Sequence, residues 1–125
     1  MDANDISIDV QTQYLEDRFP ETEEKYAFAY KITITNNSKD EVTLRNRYWL
    51  ITDGNGDKSE VAGKGVVGEQ PLIKPGESYQ YTSGAILDTP VGTMQGHYEF
   101  KCAENDELLK VPIKVFRLAD SNVLN

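Results

Sequence analysis

The chain has 125 residues, 38% of them hydrophobic and 27% charged, a composition typical of one soluble globular domain and not of a disordered chain. Its 13 Lys and Arg against 21 Asp and Glu give a net charge of -8, which disfavours nucleic acid as a partner because such binding needs cations at the phosphates. Residues 1–5 lack the features of a secretory signal, no apolar run has the length of a membrane span, and Cys102 is the one cysteine, so we expect a cytoplasmic protein with no membrane insertion.

Two strands are predicted in the first 35 residues. Residues 6–14 alternate Ile, Val, Thr and Tyr on one face with Ser, Asp and Gln on the other, and residues 26–35 alternate aromatic or branched side chains with small or polar ones. This period of two is typical of half-buried strands. Between them, residues 16–24 hold five acids and a proline, which predicts a solvated connection.

A third strand and a hairpin are predicted next. A turn at residues 36–40 leads into a strand at residues 42–52, whose run Tyr48-Trp49-Leu50-Ile51 is apolar on both faces and predicts a central strand buried between layers. Residues 53–57, Asp-Gly-Asn-Gly-Asp, carry the strongest hairpin signal in the chain, and a short fourth strand is expected at residues 59–62.

A glycine-rich stretch follows, and it is the candidate binding loop, with the residues Gly63, Lys64, Gly65, Val66, Val67, Gly68, Glu69 and Gln70. Its Gly-x-Gly-x-x-Gly spacing occurs in dinucleotide-binding folds, where a helix follows the glycines. Here Pro71 and Pro75 leave no room for that helix, so we predict a long loop between two strands, whose glycines allow positive φ angles and close packing. A weaker alternative is an anion site, in which turn amides and Lys64 hold a phosphate.

The rest of the chain completes an all-β pattern. The further predicted elements are a turn at 74–77, a strand at 79–87, a turn at 88–92, a strand at 93–102, a hairpin at 103–106 and a final strand at 108–116. Pro112 removes a backbone donor, so the last strand is expected at a sheet edge or bulged, and residues 119–125 are expected to be a frayed tail. Seven or eight short strands without a helix predict one antiparallel β-sandwich domain over residues 1–125.

Other chemical motifs in the chain are incomplete. Residues 53–57 begin like a calcium-binding EF-hand loop, but Lys58 and Lys64 occupy the positions that need Gly and Glu. His97 and Cys102 lie at an odd separation in one predicted strand, so they point to opposite faces and form neither a metal pair nor a nucleophile–base pair. We therefore expect no catalytic residues, no metal ligands and no cofactor.

Several multi-residue motifs resemble the ApaG family. They are Arg-Tyr-Trp-Leu-Ile-Thr-Asp at 47–53, Gly-Val-Val-Gly-Glu-Gln-Pro at 65–71, Tyr-Thr-Ser-Gly at 81–84 and Leu-Asp-Thr-Pro-x-Gly-x-Met-x-Gly-x-Tyr at 87–98. The resemblance covers nearly the whole chain and implies a fibronectin type III-like sandwich. It also implies an association with cobalt resistance and magnesium efflux, and related eukaryotic domains resemble protein-binding modules. The chain departs from the family at Ala85, often Cys in relatives, and at Val111-Pro112, where the usual Ile-Pro pair is shifted.

Three functions are compatible with these observations, and the favoured one is a non-enzymatic module that binds another protein through the candidate loop or a free sheet edge. The second is a phosphate or nucleotide binder that uses residues 63–68. The third is a weak divalent-cation binder, motivated by the net charge and the family association. We expect a protein partner and do not expect a small-molecule ligand.

Overall fold

Eight strands run through residues 2–16, 18–20, 23–102 and 107–120, the part of the chain that the computed structural model describes. They are β1 (Ile6–Leu15), β2 (Tyr26–Asn36), β3 (Val42–Asp53), β4 (Lys58–Lys64), β5 (Leu72–Ile73), β6 (Ser78–Leu87), β7 (Val91–Cys102) and β8 (Leu108–Ala119). A three-residue 3₁₀ helix at Ala3–Asp5 precedes β1. In this described part, no helix combines the length and the apolar character that crossing a membrane requires.

The described strands form two antiparallel sheets that pack face to face. The three-stranded sheet has the order β1-β2-β6, and the five-stranded sheet has the order β4-β3-β7-β8, with β5 beside the start of β3. The predicted fold class, an antiparallel β-sandwich of the immunoglobulin or fibronectin type III kind, is confirmed. Alternation explains the layers, because from Phe28 to Asn36 every second side chain of β2 is buried in the core and the intervening ones are half-buried or exposed.

Aromatic rings from both sheets fill the middle of the core. Trp49 of β3 meets Tyr30 of the opposite sheet with ring centroids 5.6 Å apart, and Phe116 of β8 lies 5.8 Å from Trp49 and 6.1 Å from Tyr30. Edge-on ring contacts of this kind add to the stabilisation that burial alone provides. This aromatic cluster fixes the spacing of the two sheets where β2 faces β3 and β8.

One buried polar side chain, Asn36, organises the predicted turn at residues 36–40. Its Nδ2 donates to the carbonyl oxygens of Asp40 at 2.8 Å and Ile73 at 3.0 Å, and its Oδ1 accepts from the Ser38 backbone N–H at 2.9 Å. Because burial of an unbonded amide is costly, these bonds permit its complete burial. The contact to Ile73 also attaches β5, a strand absent from the sequence prediction.

A β-bulge interrupts β3. The register with β7 shifts between Leu44 and Asn46, which makes Arg45 the extra residue. The inward positions are even-numbered before the bulge, where Leu44 is buried, and odd-numbered after it, where Trp49 is buried.

The prediction that residues 48–51 are buried on both faces is therefore wrong for one face. Trp49 is 2% exposed, whereas Tyr48 and Leu50 on the opposite side of β3 are only half-buried. One side of β3 faces the other sheet of the sandwich. The opposite side faces outward, and no other described element covers it. Its two apolar residues there belong to a solvent-facing surface.

Three of the predicted strands are clearly longer in the structure than the sequence indicates. β4 extends to Lys64, two residues further than predicted, β7 begins at Val91, and β8 continues to Ala119. Pro112 lies in β8, an edge strand in the described sheet, as predicted, and a register shift follows it between Ile113 and Phe116. The predicted hairpin at 103–106 and most of the predicted frayed tail, 121–125, lie outside the described residues.

Candidate functional site

The glycine-rich stretch, residues 63–70, folds into a tight turn that we call the glycine hairpin. Val66 and Glu69 exchange two backbone hydrogen bonds, with the Val66 N–H 2.8 Å from the Glu69 oxygen and the Glu69 N–H 3.0 Å from the Val66 oxygen. Between them, Val67 (φ 48°) and Gly68 (φ 79°) both have positive φ angles, as in a type I′ turn. The predicted long loop is therefore shorter and more ordered than expected.

Gly65 is the position where glycine is indispensable to the hairpin. Its φ is +63°, and a Cβ atom added there would lie 2.0 Å from the Glu69 carbonyl oxygen. Such an approach is far inside van der Waals contact and involves backbone on both sides, so no side chain fits. The predicted role of the glycines, positive φ and close packing, is confirmed at this residue.

Three amides of the hairpin already have acceptors within the fold. The N–H groups of Gly65, Val66 and Glu69 donate to the carbonyl oxygens of Arg45, Glu69 and Val66, respectively. Beyond Gly68 the described chain continues extended into β5, with no helix whose N-terminus is directed at a phosphate. The arrangement lacks the geometry of a dinucleotide fingerprint.

Arg47 holds the hairpin against β3. Its Nη1 donates to the carbonyl oxygens of Lys64 and Gly65, each at 3.0 Å. Hydrogen bonds from a guanidinium are stronger than those between neutral groups, so this half-buried cation fixes the base of the hairpin. No alternation pattern in the sequence indicates this role, since only the bulge at Arg45 turns position 47 toward the hairpin.

A pocket of about 240 Å³ lies beneath the hairpin, lined by Tyr30, Arg47, Trp49, Val66, Val67, Gly68, Tyr81, Thr82 and Ser83. Rings from both sheets form its apolar walls, and the guanidinium of Arg47 and the hydroxyls of Thr82 and Ser83 supply polar groups in addition to the tyrosine hydroxyls. This volume is below the 300–1,000 Å³ typical of small-molecule sites and is near that of one large side chain.

Two tyrosine hydroxyls, those of Tyr81 and Tyr98, hydrogen-bond to each other beside this pocket and join the two sheets. Burial raises the pKa of both phenols well above the ordinary value, against the opposite effect of the nearby charge of Arg47. Both hydroxyls are consequently protonated at neutral pH. They stabilise the sandwich and do not supply a base.

The tip of the hairpin presents an apolar side chain to solvent. Val67 is 63% exposed, while the neighbouring Glu69 accepts a hydrogen bond from the Tyr79 hydroxyl at 2.9 Å. Of the eight predicted site residues, three line the pocket (Val66, Val67 and Gly68), and Lys64 and Gln70 line a separate hollow on the outside of the five-stranded sheet. The pocket residues contributed by β3 and β6 lie within the motifs at 47–53 and 81–84 that resemble the ApaG family, and Tyr30 of β2 lies outside those motifs. Nothing local in these motifs indicates that they meet beside the hairpin.

The other motifs stay apart from this pocket. His97 stacks on Tyr48 on the outer face of the five-stranded sheet, with ring centroids 5.1 Å apart. Cys102 is buried in the core, so the prediction that His97 and Cys102 point to opposite faces of β7 is confirmed. The Asp53 carboxylate accepts from the N–H groups of Asn55 at 2.9 Å and Asp57 at 3.1 Å, which makes it part of the predicted hairpin turn. Among the described residues, no group of three or more His, Cys, Asp or Glu is placed to hold a metal ion.

Comparison with known proteins gives a consistent result. The ApaG domain model matches residues 16–102. Protein ApaG of Erwinia tasmaniensis is 53% identical over 118 residues, which is 94% of this chain and 94% of that protein. An X-ray structure of a structural genomics target superposes with a TM-score of 0.93 at 46% identity, covering 98% of this chain and 92% of the other. The crystal structure of the ApaA protein from Bordetella pertussis gives a TM-score of 0.87 at 43% identity, covering 92% and 93%. The chain therefore belongs to the ApaG domain family.

Proposed function

We propose that this protein is a non-enzymatic binding module that recognises another protein with the glycine hairpin and the pocket beneath it. The hairpin supplies an exposed apolar tip, and the pocket accepts one side chain of the partner. The proposed setting is the cytoplasm, with no cofactor, and a role in cobalt resistance or magnesium efflux would be exerted through the partner.

The observation that carries this proposal is the conformation of Val67. A β-branched residue with a φ of 48° is a genuine outlier, because its Cβ crowds the backbone in that region. Strain of this kind costs on the order of 1–3 kcal/mol and is concentrated at functional sites. Folding has no need of Val67, which is 63% exposed, so an apolar contact with a partner accounts for a valine there.

The pocket supports the same function. Partner side chains that anchor an interface enter desolvated, aromatic-lined hollows near its centre. Here Trp49 and Tyr30 supply such walls, and Arg47 is fixed at the edge of the pocket by its two bonds to the hairpin. The partner would therefore meet a preformed surface and lose little free energy to ordering it.

The alternatives receive less support from the same residues. Phosphate binding would need hairpin amides that already donate to carbonyl oxygens within the fold. A divalent cation would need a group of carboxylates, and the described residues offer no such group of three. Catalysis would need a base near a nucleophile, whereas the hydroxyls beside the pocket are held protonated.

The test is affinity capture with the variant Val67→Asn, which removes the apolar tip. Asn tolerates positive φ better than Val, so we expect the variant to be at least as stable as the wild type. Partners that the wild type retains in a bacterial lysate, quantified by mass spectrometry, should be lost from the variant. An unchanged partner list with an intact fold would refute the hairpin as the binding site.

Ile86→Asn is the matched control. Ile86 is 60% exposed on β6, and the substitution there removes a branched apolar side chain from the other sheet, away from the hairpin. The control should retain the partners. Substitutions of Gly65 are unsuitable, because the clash with Glu69 would disturb the fold and would make any loss of binding uninformative.

A further inference from the structure

Charge is strongly segregated in this acidic protein. Strands β3, β4, β7 and β8 contain eight of the 13 Lys and Arg residues and only three of the 21 Asp and Glu residues. The rest of the chain therefore carries 18 acids against five basic residues. Solubility alone does not need this separation, because mixed charges serve it equally well.

Most of these cations lie on one surface, the outer face of the five-stranded sheet, which we call the basic face. Alternation and register place six cations there and two carboxylates, Glu60 and Glu99. The cations are Arg45, Lys58, Lys64, Lys101, Lys110 and Arg117. The Glu99 carboxylate accepts a hydrogen bond from the Asn46 amide at 3.1 Å, which occupies part of its acceptor capacity.

Two adjoining hollows shape the basic face. The first, of about 420 Å³, is lined by Arg45, Asn46, Lys64, Gln70, Lys101 and Leu108, a set with three cations, two amides and no carboxylate. The second, of about 470 Å³, shares Asn46 and Lys64 with the first and extends to the stacked rings of Tyr48 and His97. Amides and cations together are the donors that a carboxylate prefers.

The centre of the basic face also offers apolar contact. Tyr48 and Leu50 are half-buried there and are not covered by any described element. Burial lowers the pKa of His97, and the positive charge of Lys110 lowers it further against the opposite effect of Glu99. A surface with cations around an aromatic centre suits an acidic segment that carries a few apolar residues.

We infer that the basic face is a docking surface for an acidic peptide segment of a partner protein. Charge complementarity identifies this occupant, because the face is positive on a chain whose net charge is -8. A long polyanion such as nucleic acid would extend past the face and meet the acidic remainder, whereas a short acidic segment would not. This inference shares with the proposed function only the assumption that the partner is a protein. The surface that it concerns is different from the hairpin tip at Val67.

The test measures binding of a fluorescein-labelled glutamate peptide by fluorescence anisotropy at low ionic strength. In the variant Arg45→Gln/Lys110→Gln, the dissociation constant should rise by about fivefold, in line with the loss of two exposed ion pairs. Added salt should weaken binding to the wild type, because the contacts are screened. Both substituted residues are exposed, so the variant should keep its melting temperature.

The control is Lys31→Gln/Lys39→Gln, which removes the same net charge from exposed positions on β2 and in the turn after it, outside the strands that form the basic face. It should change the dissociation constant less than about twofold, since distant exposed charges are screened. Equal losses in the two variants would refute the docking surface, and so would tighter binding of a single-stranded oligonucleotide than of the peptide. The Val67→Asn protein should bind the peptide as tightly as the wild type does, which would confirm that the basic face is separate from the hairpin. Failure of the docking surface can therefore be told apart from failure of the hairpin as a binding site.

Discussion

The two faces of the five-stranded sheet are built from the same four long strands, yet they differ in nearly every physical respect. The inner face packs Trp49, Met94 and Tyr98 against the other sheet, and within the described residues no buried side-chain nitrogen or oxygen lacks a hydrogen-bond partner. The outer face carries six cations and leaves Tyr48 and Leu50 half-buried. A period-two pattern assigns residues to faces, and the two faces then differ in charge and in burial.

Folding restricts which residues can occupy the inner face, and it places little restriction on the outer face. Burial and hydrogen bonding leave few acceptable residues inside the sandwich, whereas solvent-facing positions of a sheet tolerate many. Unequal charge on a solvent-facing surface is therefore better evidence of a partner than any feature of the core. Three measurements test this contrast.

The largest expected effect comes from truncating the inner face. Trp49→Ala removes a ring that contacts Tyr30, Tyr98 and Phe116, and we expect it to lower the free energy of unfolding by about 3–5 kcal/mol. Leu50→Ala, the next residue on the outer face, should cost about 1 kcal/mol because that side chain is already half in water. Urea denaturation measures both. Similar losses at the two positions would show that the outer face is covered in solution.

A medium effect is expected from the paired hydroxyls of Tyr81 and Tyr98. Tyr81→Phe or Tyr98→Phe leaves one buried hydroxyl without this partner and should cost about 1–3 kcal/mol, whereas the double variant removes both groups and should recover most of the loss. A double-mutant cycle on unfolding free energies measures the coupling. Strictly additive losses would mean that the two hydroxyls do not depend on each other.

The smallest effect concerns His97 on the outer face. Its pKa is lowered by burial and by Lys110, so the folded state binds fewer protons than the unfolded state near the ordinary value of 6.5. The resulting stabilisation is present above about pH 6.5 and is lost as pH falls through the folded pKa. NMR titration is unambiguous because the chain has one histidine. Lys110→Gln should raise this pKa, and a wild-type value at or above 6.5 would contradict the geometry.

The fold was predictable because it depends on local patterns. Alternation in β2, the Asp-Gly-Asn-Gly turn and Pro71 after the glycines all act over a few residues, and each prediction is confirmed. The pocket was not predictable in the same way. It unites Tyr30, Arg47 and Tyr81 from three strands, and the position of Arg47 depends on a bulge that no alternation pattern reveals. The two-residue strand β5 was missed because so short an element has no period to detect.

The bulge in β3 has one more consequence, for how this strand can change over evolutionary time. Arg45 is the extra residue, so deleting it would remove the bulge and leave every later residue of β3 on its present face. Regular pairing with Arg45 retained would instead invert every later position, so the indole of Trp49 would face water and the guanidinium of Arg47 would leave the hairpin. The pocket therefore depends on Arg45 staying outside the pairing, and a relative with a one-residue gap at this position would lose the bulge and keep the pocket.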